Sequence, residues 1–139
     1  MESSTQELKG ALPVFNINVR YNQFKEAVDR VLNGEWTPEE FGAWLGEMTP
    51  RMLEKGRKTM EDLEEWGYTR MAPEECAEGF QGIELYERGM DEMALFLEDG
   101  DAQHLHDGLA LCLEGNQKVN KAMLMNRDAY EELEINFNM

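Results

Sequence analysis

The sequence predicts an all-α fold. It is an up-down four-helix bundle, its second helix kinked or split near Pro50, with a short β pairing of the N- and C-terminal segments. Three observations lead there. Apolar residues recur every three or four positions through most of the chain, the period of a helix buried along one stripe. Glycine and proline fall between the stripes, where helices stop and start. Both ends alternate apolar residues with Asn, as Phe15-Asn16-Ile17-Asn18-Val19 and Ile135-Asn136-Phe137-Asn138-Met139, which is the two-residue period of a half-buried strand.

Residues 1–12 are polar and aperiodic and read as a disordered tail; residues 13–139 read as one helical domain. The first helix is expected over 20–33, with Tyr21, Phe24, Val28 and Val31 as its stripe and Asn33-Gly34 as its stop. Thr37, Pro38 and Glu40 make a capping box with proline at the first helical position, opening the second helix. Its stripe runs from Phe41 and Trp44 through Met48 and Met52 to Leu63 and Trp66, and Gly67 ends it. Pro50 lies within this run and lacks the N–H that an interior helical residue donates, so a kink or a split capped by Thr49 is expected. Pro73, Glu74 and Glu75 open the third helix and Gly100 stops it. Asp101 caps the fourth, whose stripe is Leu105, Leu109, Cys112, Val119 and Met123.

The short connection at Gly100-Asp101 makes the last two helices antiparallel neighbours. A turn centred there sets against each other residues whose numbers sum to 201. Gly82 then faces Val119, Gly89 faces Cys112, Gly108 faces Met93 and Gly115 faces Tyr86. Each glycine inside a helix costs about 1 kcal/mol against alanine. Two such pairs, each seven residues apart on its own helix, therefore read as helix-packing positions that let two backbones approach. The same register parts Cys76 from Cys112 by roughly 20 Å along the hairpin, too far for a disulfide.

The formal net charge of −16 is unevenly spread. Residues 71–107 carry one base, Arg88, among many acids; residues 49–60 carry Arg51, Lys55, Arg57 and Lys58 against Glu54 alone. An acidic surface repels phosphate backbones and anionic lipid, so neither nucleic acid nor membrane is an expected partner. Two cysteines without Cys-x-x-Cys, no apolar leader at the N-terminus and no apolar run of spanning length read as a cytoplasmic protein.

Little in the chain carries chemistry. His104 and His106 stand two apart, on opposite sides of a helix, and cannot share a metal. Counting from Asp99, position six of a calcium loop is His104, not glycine, and position twelve is Ala110, not glutamate. Gly56-Arg57-Lys58-Thr59 lacks the first glycine and the strand of a phosphate loop. Glu74, Glu75 and Glu78, followed by Glu98 and Asp101, make Glu-Glu-x-x-Glu…Glu-x-x-Asp. That pattern resembles the metal site of the all-α nucleoside triphosphate pyrophosphohydrolases of the MazG type. Over residues 74–101 the resemblance implies carboxylates holding Mg²⁺ against a nucleotide's phosphates.

The reading adopted from the sequence is a non-catalytic protein with no cofactor, acting by protein–protein interaction with itself as a homodimer or with another protein. Its interaction residues are expected at the alternating ends: Phe15, Ile17, Val19, Ile135 and Phe137. A small acidic secretion-chaperone-like protein and a Mg²⁺-dependent pyrophosphohydrolase are the alternatives.

Overall fold

A computed structural model describes the backbone of residues 17–138 and the side chains of residues 20–122. The described chain is all-α. Four long helices, α1 (Ile17–Leu32), α2 (Pro38–Glu65), α4 (Pro73–Asp99) and α5 (Gln103–Asn138), are joined by short turns, with the single-turn helix α3 (Tyr68–Met71) between α2 and α4. The sequence reading contained no α3. The expected tail at residues 1–12 lies outside the described residues.

The helix ends follow local chemistry. The Thr37 hydroxyl accepts from the Glu40 N–H at 3.1 Å and the Glu40 carboxylate accepts from the Thr37 N–H at 3.0 Å, closing the capping box. Gly34, Gly67 and Gly100 all stand at positive φ. At Gly100 (φ 71°) the chain reverses from α4 into α5 within three residues, a left-handed conformation that a side chain would oppose. The Asp101 carboxylate then accepts from the Gln103 N–H at 2.9 Å and starts α5.

Two expectations are corrected. First, of the kink or split expected at Pro50 the split does not occur: α2 is one continuous helix, and Thr49 is not a cap, its hydroxyl donating back to the Leu45 carbonyl at 2.8 Å. Pro50 is exposed, and the carbonyl to which it offers no N–H belongs to Gly46, which is also exposed and so open to solvent. Second, the terminal alternation does not make strands. Ile17 to Val19 form the first turn of α1 and residues 135–138 the last turn of α5, and no strand occurs among the described residues. Phe15 and Met139 lie outside the described residues. Over so short a stretch the two periods overlap. Ile17 precedes Tyr21 by four, and Leu133 and Phe137 continue from Tyr130 by three and then four, so each end prolongs a helical stripe already begun.

The α4–α5 hairpin is the spine; α2 packs on α4, α1 on α5, and α1 on α2. Gly42 of α2 lies against Leu97 of α4, and Gly56 against Ile83, so these two helices are antiparallel with an even register. The core lies in the half nearer the hairpin turn. Phe24, Val28, Phe41, Met90, Met93, Leu105 and Cys112 are fully buried there. Trp44 edges onto Phe24 with ring centroids 5.3 Å apart, and Phe96 onto Phe41 at 6.2 Å.

Candidate interaction surface

The spine is closed by glycine. A Cβ on Gly89 would sit 2.6 Å from the Cys112 sulfur and 2.7 Å from the Gly108 carbonyl oxygen; one on Gly108 would meet the Gly89 carbonyl oxygen at 2.7 Å and Met93 at 2.5 Å. One heptad on, a Cβ on Gly82 would meet Val119 and the Gly115 carbonyl oxygen, and one on Gly115 the Gly82 carbonyl oxygen and Leu85. Each glycine thus faces a larger side chain, and it also faces the backbone of another glycine. No side chain fits in either crossing, so none of the four is available to a ligand.

Beside this seam the polar side chains pair with each other. Tyr86 donates to the Asn116 side-chain oxygen at 2.8 Å, in the interior, where Asn116 is 3% exposed. Burial raises the phenol pKa, so Tyr86 remains a neutral donor. Lys118 of α5 reaches Glu78 of α4 at 3.3 Å. At the hairpin turn His104 lies between two carboxylates, with Nδ1 2.7 Å from Glu92 and Nε2 2.9 Å from Asp99. Only the imidazolium donates from both nitrogens. The bonds to Glu92 and Asp99 push its pKa up to about 9. Asp99 is held below the usual carboxylate range, first by the Asp101 N–H and then by His104.

These shifts set the direction of a pH dependence. A pKa raised on folding stabilises the fold fully below the unfolded value of 6.5 and loses that contribution as pH rises through about 9. The carbon-bound ring protons of His104 are therefore expected to titrate by NMR with a midpoint near 9. In His104→Ala the fall in unfolding midpoint between pH 6.5 and 9.5 should become shallower. A His104 midpoint near 6.5 would show that the two contacts do not persist in solution.

The cysteines are buried and unpaired. Burial pushes the Cys112 thiol up to about 12 and, with Glu75 nearby as a lesser cause, raises Cys76. Neither resembles an activated nucleophile. Both are expected to react with Ellman's reagent at pH 8 only as the protein opens, with a rate that rises in urea; immediate labelling of two thiols would contradict the burial.

The carboxylates of the pyrophosphohydrolase-like pattern are not brought together. Glu74, Glu75 and Glu78 lie in the first turns of α4, whereas Glu98 lies in its last turn and Asp101 follows Gly100. The two sets stand about 30 Å apart along the helix at 1.5 Å per residue. Glu78 is engaged by Lys118. Among the described residues no group of three or more His, Cys, Asp or Glu is placed to hold a metal ion.

What the surface does offer is apolar. At the elbow between α2 and α4, Trp66 is 63% and Met71 53% exposed, with Tyr68 edge-on to Trp66 at 6.3 Å. A shallow groove of about 250 Å³ between α1 and α2 is walled by Trp36, Trp44 and Met48, and the Arg30 guanidinium lies 5.4 Å from the Trp36 ring centre. Of the residues expected to interact, Ile17, Val19, Ile135 and Phe137 are at the far ends of α1 and α5. The elbow was missed because Trp66 falls on the same helical stripe as core residues, and sequence period alone does not show where a neighbouring helix stops. No protein family, curated protein or solved structure matches the chain. No helix among the described residues is long and apolar enough to cross a membrane.

Proposed function

We propose that this chain is a non-catalytic cytoplasmic protein that works by protein–protein interaction, as a homodimer, and that its four long helices form an up-down bundle. The observation that carries the reading is the exposure of Trp66 and Met71 at the elbow. Large apolar side chains held in water are stabilised by association. Two further facts support it. Tyr86, His104 and Lys118 are each tied to a partner that fixes one helix to another, and both thiols are buried. Light scattering on the purified chain at micromolar concentration tests the oligomer, with twice the 16.1 kDa chain mass expected. A panel of nucleoside triphosphates with Mg²⁺ tests the absence of catalysis: pyrophosphate release that is lost in Glu75→Gln would replace this reading with hydrolysis.

A further inference from the structure

Two weak points, one within α2 and one just after it, enclose a segment that the rest of the molecule holds lightly. The first follows Met48. Pro50 offers no N–H to the Gly46 carbonyl, and Gly46 has nothing within 4 Å of a Cβ. The Thr49 hydroxyl bonds back to the Leu45 carbonyl, an arrangement that favours bending. The second is the elbow, where Gly67 stands at φ 82° and again has nothing within 4 Å of a Cβ. Burial changes at the first point. Phe41, Leu45 and Met48 are buried before it, and from residue 49 to the end of α2 only Gly56 is. Met52, Met60 and Leu63 are half-buried there, and Leu53 is exposed.

The ion pairs of this segment are internal: Arg57 with Glu54 and Glu61, and Lys58 with Asp62. They support the helix and, among the described residues, do not tie it to a neighbour. The α4–α5 hairpin differs, since Tyr86–Asn116, Glu92–His104 and Glu78–Lys118 each join its two helices. What the segment covers is a row on α4. Gly42 lies against Leu97 and Gly56 against Ile83, so in steps of seven Thr49 stands level with Met90 and Leu63 with Cys76. Half-buried Leu63 is thus the α2 residue placed over Cys76, which is 3% exposed. Cys112 lies instead at the α4–α5 crossing, fully buried against Gly89.

We infer that residues 51–66 form a strap that opens from α4 as a unit, hinged at Gly46–Pro50 and at Gly67, while the core around Phe24 and the hairpin stay folded. The opening uncovers Cys76 and Ile83 and leaves Cys112 closed. It goes beyond the homodimer reading and holds for one copy or two. Proteins open in cooperative parts, at free energies from near zero up to that of global unfolding. A helical segment whose sole buried residue is a glycine belongs at the low end of that range.

The two cysteines report on the two parts of the molecule. Iodoacetamide labelling of the full chain at pH 8, with mass mapping of the two cysteine-bearing peptides, is expected to modify Cys76 about a hundredfold faster than Cys112. The Cys76 rate should rise with urea about a third as steeply, because strap opening exposes less surface than global unfolding. Phe24→Leu weakens the core and not the strap, so it should speed Cys112 about tenfold and leave Cys76 unchanged. Pro50→Ala supplies the missing N–H at the hinge and should slow Cys76 about fivefold. A Cys76 no faster than Cys112 would overturn the strap, as would a Cys76 that accelerates together with Cys112 in Phe24→Leu. A fast Cys76 that ignores Pro50→Ala would overturn it too, because the opening would then be fraying of the first turn of α4.

Discussion

Phe24→Ala is expected to lower the free energy of unfolding by about 4 kcal/mol, the scale for removing a buried aromatic side chain. Phe24 is fully buried and, with Ala27 and Val28, joins α1 to the core, its ring 5.3 Å from Trp44 of α2 and 6.0 Å from Tyr86 of α4. Truncation leaves a cavity bounded by three helices. Small domains have total stabilities of about 5–15 kcal/mol, so the loss is a large share of the whole. Urea unfolding followed by tryptophan fluorescence measures it, since Trp44 and Trp36 both lie against this core. A shift below about 1 kcal/mol would show that α1 is not packed as described.

Gly89→Ala is expected to destabilise by about 2 kcal/mol, although alanine favours the helix by about 1 kcal/mol. The added methyl would stand 2.7 Å from the Gly108 carbonyl oxygen and 2.6 Å from the Cys112 sulfur, and backbone does not yield as a side chain tip does. Separating α4 from α5 to admit it strips contacts along the spine, an overpacking cost of about 3 kcal/mol at the upper end of the usual range. Gly46→Ala is the matched control. That position is helical and exposed, with nothing within 4 Å of a Cβ, so the same change should stabilise by about 0.5–1 kcal/mol. Opposite signs from one chemical change would separate packing from propensity. Adding Gly108→Ala to Gly89→Ala should cost less than Gly108→Ala alone, because the first methyl has already parted the same crossing.

Much of the fold was legible because local rules and long-range packing agreed. The Thr37 box, the stops at Gly34 and Gly100 and the pairing of Gly89 with Cys112 all follow from residues close in sequence or from one short turn. The failures have a common cause. Five alternating residues at Ile135 fit both a strand and the last turn of a helix, and only the length of helix behind them decides. His104 read as an exposed residue at a helix start. Its partners Glu92 and Asp99 lie across the turn, on α4, and approach only once the hairpin has closed. The Tyr86–Asn116 bond likewise joins side chains thirty residues apart that no local spacing links. Glycine meeting glycine was missed because the turn-centred count pairs residues straight across, whereas helices at such close range also touch on the diagonal.

The spine also acts as a ruler. Two backbone crossings one heptad apart allow α4 and α5 a single sliding position, since a shift by one turn would drive side chains into carbonyl groups. In this register Pro73, the first residue of α4, stands opposite Asp128, so residues 129–138 of α5 extend past the start of α4 by a distance that Gly82, Gly89, Gly108 and Gly115 determine. Lengthening or shortening α4 at its first turn would change that protrusion directly, without altering a residue of α5.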